Sequence, residues 1–77
     1  MAGVVLKNEY SRFMRRTELE RKLMELGWRS TGEARGMRHA VWRHPKKRHP
    51  IYVPTEDIIL DSTAERLIGE AEGVRLP

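Results

Sequence analysis

The alternation of side chains in the segment RHAVWR, residues 38–43, is the feature that most constrains how this chain folds. Ala40 and Trp42 share one parity of the segment, whereas His39, Val41 and Arg43 share the other. Successive side chains of a β-strand point to opposite faces of the sheet, so the pattern predicts a strand with one face on a core and one face open. Pro45 follows closely and predicts the end of the strand, because proline cannot donate to a central ladder.

A helix is predicted to begin at Thr17. Thr17 and Glu20 have the spacing of a capping box, in which each side chain bonds a free backbone N–H of the first turn. An apolar stripe follows at helical spacing, formed by Leu19, Leu23 and Leu26. Gly27 is expected to end this helix, since glycine readily adopts the left-handed conformation found at helix C-termini.

Two further strands are predicted, one before and one after the alternating segment. Residues 28–30 are interpreted as the first strand, and TGEARG, residues 31–36, as the turn that follows it, because two glycines lie there. Residues 51–53 are interpreted as the third strand, which Pro54 is expected to stop. The sequence leaves the shape of the connection over residues 55–60 open.

The last predicted helix covers roughly residues 63–72, with Ser62 or Thr63 as its cap and Gly73 as its end. Its apolar side is formed by Leu67, Ile68 and Ala71. The order of elements is therefore helix, three antiparallel strands, helix, which predicts an α+β domain. In such a domain two helices cover one face of the sheet and leave the other face open to a ligand.

The length of 77 residues predicts one domain with a thin core. The chain has no cysteine, which excludes disulfides, thiolate nucleophiles and thiolate ligands. The apolar run from Val4 to Leu6 is too short for a signal peptide or a membrane span, so we expect a cytoplasmic protein. Residues 17–77 are expected to form the domain and residues 1–16 an N-terminal extension, in which residues 9–16 either lengthen the helix or form a loose arm.

The positive charge of the chain is concentrated in its middle. The formal net charge is +4, and residues 29–49 hold seven Lys and Arg residues, the single acid Glu33 and all three histidines. Cationic side chains attract polyphosphate, so the expected partner is a nucleic acid. A membrane surface is not expected, because no predicted helix pairs a basic face with a broad apolar one. The acidic residues between 55 and 72 are interpreted as the solvated face of the last helix.

His39 is the leading candidate for chemistry, because an imidazole titrates near neutrality and can transfer a proton. It can equally be an ordinary surface histidine on a sheet that binds nucleic acid. His44 and His49 have the spacing of a possible metal pair. However, no third ligand lies near them in the sequence, and the cations between them oppose a metal ion.

Aromatic side chains leave a similar choice between binding and packing. Trp28 and Trp42 can stack on bases, although core packing fits their apolar surroundings in the sequence better, and the same choice stays open for Tyr52. Three classes of function compete at this point: a ribonuclease, a non-catalytic RNA- or DNA-binding module, and an interaction domain for an acidic protein. Each explains the basic middle of the chain, but only the ribonuclease requires a special role for His39.

A series of short motifs runs through the predicted domain. They comprise Thr17, Leu19, Leu23, Leu26-Gly27-Trp28, Arg35-Gly36, His39, Val41-Trp42, His44-Pro45 and Ile51-Tyr52-Val53-Pro54. In order and spacing, over about residues 17–73, they resemble the HicA toxins of bacterial toxin–antitoxin pairs. The chain departs from that family at its histidine motif. The family has Gly-Ser-His, whereas this chain has Gly-Met-Arg-His at residues 36–39.

The resemblance implies a small double-stranded-RNA-binding-domain-like fold and the activity of an mRNA interferase, an endoribonuclease that cuts mRNA and arrests translation. It also implies that His39 is catalytic and that a HicB-type antitoxin covers the site. No cofactor is expected, since RNA cleavage by proton transfer needs only a base, an acid and positive charge. The residues expected to bind RNA are Arg35, Arg38, Arg43, His44, Lys46, Lys47 and Arg48.

Overall fold

The computed structural model of the chain describes residues 12–73, which form two helices and two antiparallel sheets. Along the chain the elements are β1 (Phe13–Arg15), α1 (Arg16–Glu25), β2 (Arg29–Arg35), β3 (His39–Arg43), β4 (Ile51–Pro54), β5 (Ile58–Leu60) and α2 (Asp61–Glu72). Strands β2, β3 and β4 form one sheet in that order, and β1 pairs with β5 in the other. The α+β class is confirmed, and the β1–β5 ribbon is an addition to the predicted elements.

The alternation in β3 has the predicted outcome except at Val41, which shares the side of His39 and Arg43 but is only 7% exposed. Trp42 is 4% exposed and pairs with Ile51 of β4, and both belong to the core together with Val53. His39 and Arg43 point to the other side of the sheet and are exposed. We call that side, which faces away from the core, the open face.

The two helices cover the core face of the sheet. The buried helix side chains are Leu19 and Leu23 of α1 and Ala64, Leu67 and Ala71 of α2. Trp28 lies between the helices, 1% exposed, and its indole Nε1–H donates a hydrogen bond to the Ala71 carbonyl oxygen at 3.0 Å. The interpretation of both tryptophans as core residues is thereby confirmed. Neither α1 nor α2 is long and apolar enough to cross a membrane.

The predicted start of α1 is wrong. The helix begins at Arg16, the residue before it has extended backbone, and no side chain caps the first turn, so Thr17 and Glu20 form no capping box. A tertiary contact replaces the box, because the Arg16 backbone N–H donates to the Asp57 carbonyl oxygen at 2.7 Å. The predicted end is confirmed, since Gly27 has φ +97°, the left-handed region that favours glycine.

The start of α2 is also held by a tertiary contact instead of a side-chain cap. This helix begins at Asp61 without a side-chain cap, so neither Ser62 nor Thr63 caps it. The Asp61 backbone N–H instead donates to the Arg12 carbonyl oxygen at 2.8 Å. Gly73 ends the helix as predicted, with φ +76°. Both helix starts are therefore determined by contacts with neighbouring segments rather than by local capping sequences.

The β1–β5 ribbon contains two segments whose structure the sequence left open. Residues 13–15 form an extended strand, so they neither lengthen α1 nor form a loose arm. Ile59 is buried opposite Met14, which packs against the core. Residues 1–11 of the predicted extension, including the rest of segment 9–16, lie outside the described residues.

Strand β2 is longer than predicted, and the expected turn is a strand with a bulge. Its register with β3 shifts between Ser30 and Ala34, so that three residues of β2 lie opposite Val41. Within the bulge, Gly32 has φ +85°, and the Thr31 hydroxyl donates to the Val41 carbonyl oxygen at 3.2 Å. The glycine that suggested a hairpin turn thus marks a β-bulge, and the hairpin turn itself covers residues 36–38.

Leu23 and Met24 provide a matched test of the core. Leu23 is fully buried, whereas its neighbour Met24 is 44% exposed on the same helix. We expect Leu23→Ala to lower the free energy of unfolding by about 2–5 kcal/mol, because it removes buried methyl groups and leaves a cavity. Met24→Ala should change it by less than about 0.5 kcal/mol. Urea denaturation followed by tryptophan fluorescence measures both, and equal effects would contradict this description of the core.

Candidate functional site

His39 occupies the first position of β3 on the open face. The strand register places it opposite Arg35 of β2 on one side and Pro54 of β4 on the other. The side chain is exposed, and within residues 12–73 its ring makes no hydrogen bond and no ion pair. The imidazole is therefore available to a ligand on both nitrogens.

A cleft of about 310 Å³ adjoins this histidine, where the end of the sheet meets α2. Its lining residues are Arg38, His39, Tyr52, Pro54, Glu56, Thr63 and Arg66. We call this group the His39 cleft. It contains two guanidinium groups, one carboxylate, one imidazole and one phenol, which is a combination of anion-binding and proton-transferring groups.

Two hydrogen bonds from Thr55 join the end of β4 to the head of β3 beside the His39 cleft. Thr55 donates to the Arg38 carbonyl oxygen twice, from its backbone N–H at 2.9 Å and from its hydroxyl at 3.3 Å. This double contact ties the end of β4 to the residue that precedes His39. Glu56 follows Thr55 directly and so enters the cleft next to the head of β3.

Arg35 and Tyr52 form a second arrangement beside the cleft. The Arg35 Nη1 donates to the Tyr52 hydroxyl at 3.2 Å, and the guanidinium carbon lies 4.9 Å from the centre of the tyrosine ring. Tyr52 pairs with Val41 in the sheet and is half-buried on the open face. Because Arg35 and Tyr52 lie on the two strands that flank β3, their contact spans the strand that carries His39. The remaining N–H groups of Arg35 stay available to a phosphate.

The predicted RNA-binding residues fall into two groups in the structure. Arg35 and Arg38 lie beside His39, at the start of β3. The other five lie at the far end of β3, either as its last residue or in the loop that follows it: Arg43, His44, Lys46, Lys47 and Arg48. A strand of five residues spans roughly 13 Å between its end residues. The structure therefore brings two of the seven residues to His39 and leaves five at the other end of the sheet.

His44 is engaged within the fold. Its Nδ1 accepts a hydrogen bond from the Lys46 backbone N–H at 2.9 Å, so the proton lies on Nε2, which donates to the Leu26 carbonyl oxygen at 3.1 Å. The ring meets Trp28 edge-on, with centroids 5.4 Å apart. It also lies over Gly27, where a Cβ would come within 2.6 Å of Nε2. These contacts favour a structural role for His44 at the end of α1.

Two cations of this region also contact the ends of helices. The Lys47 ammonium lies against Gly73 at the C-terminus of α2, where a Cβ would collide with it. A helix C-terminus carries partial negative charge, so the contact is favourable. Arg29 Nη1 donates to the carbonyl oxygens of Met24 and Trp28, at 3.0 and 2.7 Å. Part of the basic middle of the chain thus stabilises the ends of both helices.

The sequence analysis did not assign Glu56 or Arg66 to the site. Both belong to the segment interpreted as the solvated face of the last helix, and their place in the cleft with His39 depends on how β4, β5 and α2 pack. Arg66 also forms an ion pair with Glu70, one helical turn away, at 3.1 Å. Among residues 12–73 no three histidine or carboxylate side chains are grouped so that they could hold a metal ion.

Comparison of the chain with known protein families, with curated proteins and with solved structures found no match. The resemblance to the HicA toxins therefore rests on the sequence motifs of this chain, and what it implies for activity and partner is taken up below as a proposal.

His44 and His49 provide a second matched test, because only the first has internal partners. We expect His44→Ala to lower the free energy of unfolding by about 1–2 kcal/mol, since it leaves the Leu26 carbonyl oxygen and the Lys46 N–H without their partner. His49 is exposed, so His49→Ala should change it by less than about 0.5 kcal/mol. Urea denaturation distinguishes the two. A larger effect of His49→Ala would contradict the structural role of His44.

Proposed function

We propose that this protein is a HicA-like toxin, a metal-independent endoribonuclease that cuts mRNA, inhibits translation and is neutralised by a HicB-type antitoxin. One observation supports this function above all. The imidazole of His39, which the family motif designates, is exposed on the open face and borders a cleft that also contains Arg38 and Arg66. Apart from the β1–β5 ribbon, the elements follow the order helix, three antiparallel strands, helix, which is the order expected of a double-stranded-RNA-binding-domain-like fold and supports the same proposal.

The chemistry of RNA cleavage fits this group of residues. The 2′-hydroxyl loses a proton and attacks the adjacent phosphorus, and the 5′-oxygen leaves and gains a proton. His39 transfers one of these protons, as base or as acid. Arg35 and Arg38 bind the phosphate, because a guanidinium group can donate two parallel hydrogen bonds to its oxygens and can offset the charge that develops there.

Unpaired RNA suits the site better than a duplex. The reacting 2′-hydroxyl, phosphorus and 5′-oxygen must approach His39 together, and a flexible single strand can adopt the required in-line geometry. A single strand also leaves base edges free to contact the protein. The substrate is therefore an unstructured region of an mRNA.

The partner is an antitoxin that covers the His39 cleft with acidic or bulky groups. The chain has a formal net charge of +4, and Arg35, Arg38 and Arg66 lie in or beside the cleft. Long-range attraction between this surface and an acidic partner speeds association and orients the pair. Occupation of the cleft by the partner excludes RNA.

The central test is replacement of His39. We expect the wild-type protein to cut single-stranded RNA in EDTA, and His39→Ala to lower the rate by about 10²–10⁴-fold, because a proton-transfer group is lost. His49→Ala is the control, since that imidazole is also exposed but lies outside the cleft. Gel analysis of a labelled RNA measures the rates.

The same variants can be expressed without antitoxin in a bacterial host. The wild type and His49→Ala should arrest growth, and His39→Ala should permit it. Harmless high-level expression of the folded wild-type chain, together with intact RNA in the gel assay, would contradict the toxin function.

A second candidate function is that of a non-catalytic RNA- or DNA-binding module. The observation that favours it is the exposed cationic pair Lys46 and Arg48 at the far end of β3, which no proton-transfer chemistry requires. This function predicts that the wild type and His39→Ala both shift RNA in a gel and both leave it intact.

Arg38 should contribute to RNA affinity in either case. In the His39→Ala background, Arg38→Gln is expected to weaken RNA binding by about tenfold, because a hydrogen bond to a charged group contributes about 1.5–3 kcal/mol. The slope of log affinity against log salt should fall in magnitude by about 0.7 for one lost phosphate contact. Arg21→Gln is the control, since Arg21 is exposed on α1 outside the cleft. Fluorescence anisotropy titrations at several salt concentrations measure both quantities.

A further inference from the structure

Glu56 is the carboxylate of the His39 cleft, and no role has so far been assigned to it. RNA cleavage without a metal ion needs two proton transfers at opposite ends of one phosphodiester, and the sequence offers no second histidine at the site. We infer that Glu56 is the second proton-transfer group, the general base that works with His39 as the general acid. This inference rests on the proposed ribonuclease function.

The fold positions Glu56 for this role. It follows Thr55, which is fixed to the Arg38 carbonyl oxygen by two hydrogen bonds, and it lines the same cleft as His39. Its side chain is exposed and forms no hydrogen bond or ion pair with any other residue of the segment 12–73. Two other carboxylates do form ion pairs, Asp57 with Arg16 at 3.5 Å and Glu70 with Arg66 at 3.1 Å.

Four ionisable groups line the cleft together with Glu56: Arg38 and His39 from the head of β3, Tyr52 from β4, and Arg66 from α2. A carboxylate has no proton of its own and can accept one, whereas the two guanidinium groups can only donate. The Tyr52 hydroxyl already accepts a hydrogen bond from Arg35. Of the groups that line the cleft, Glu56 is therefore the one suited to act as the base, which leaves His39 to act as the acid.

The step balances as a transphosphorylation. The Glu56 carboxylate takes the proton of the 2′-hydroxyl while the 2′-oxygen forms its bond to phosphorus. The bond between phosphorus and the 5′-oxygen breaks, and His39 gives that oxygen its proton. The products are a 2′,3′-cyclic phosphate and a free 5′-hydroxyl, with the proton now on the carboxyl group and the imidazole neutral. Exchange with water restores both groups.

The decisive variants are Glu56→Gln and Glu65→Gln. Glutamine keeps the size of the side chain and cannot take the proton, whereas Glu65 is an exposed carboxylate on α2 outside the His39 cleft. We expect Glu56→Gln to lower kcat by about 10²–10⁴-fold with RNA affinity equal to or above that of the wild type. We also expect the fall of kcat/KM at acidic pH to disappear. Glu65→Gln should match the wild type, and equal urea midpoints show that both variants fold.

A substrate with sulfur in place of the bridging 5′-oxygen assigns the two roles. A thiolate leaves without needing a proton, so loss of the general acid matters less. With this substrate His39→Ala should recover most of its lost rate, and Glu56→Gln should recover none of it.

The inference fails if Glu56→Gln cuts RNA within about threefold of Glu65→Gln and keeps the acidic limb of the pH profile. In that case activity of the wild type and inactivity of His39→Ala would still support the ribonuclease. The assignment of the base also fails if the sulfur substrate restores Glu56→Gln instead of His39→Ala. A folded wild type that leaves both substrates intact would overturn the ribonuclease and this inference together.

Discussion

The burial of Trp28 at the junction of the two helices is the constraint on which the rest of the fold depends. The indole is 1% exposed, and its only polar atom is satisfied by the Ala71 carbonyl oxygen near the end of α2. The edge of the His44 ring packs against it from the loop after β3. A single side chain thus joins the end of α1, the end of α2 and the β3–β4 loop, and a small core gains much of its packing from one large aromatic group.

Positive charge has two separate uses in this chain. At the far end of β3, Arg29 and Lys47 contact a carbonyl group or backbone at the C-termini of the helices, where cations are favourable. At the start of β3, Arg35 and Arg38 lie beside His39 and keep donors available for a ligand. Net charge alone does not distinguish these uses. The distinction comes from which of these cations contact the end of a helix and which lie beside His39.

The β1–β5 ribbon determines where the helices begin and, through them, what the cleft contains. The first N–H groups of α1 and α2 donate to the carbonyl oxygens of Asp57 and Arg12, so each helix start is held by a neighbouring segment. The chain then runs from β4 through β5 into α2, and this route brings Glu56 and Arg66 to the end of the sheet where His39 lies. A site of this kind needs the whole domain, although its leading residue sits on a single strand.

Residue patterns within one element are enough to predict the burial of both tryptophans and the exposure of His39. They also predict the helix ends at Gly27 and Gly73. These features depend on strand parity and glycine stereochemistry, which act over a few residues. The capping sequences are misleading, because the free N–H groups of a helix N-terminus can donate to any nearby carbonyl oxygen, and tertiary contacts supply one. The glycine of β2 predicts a turn where the structure has a β-bulge, since glycine favours both kinds of structure. Which residues line the His39 cleft depends on contacts between parts of the chain that are far apart in the sequence. Only the packing of the sheet end against α2 brings these parts together.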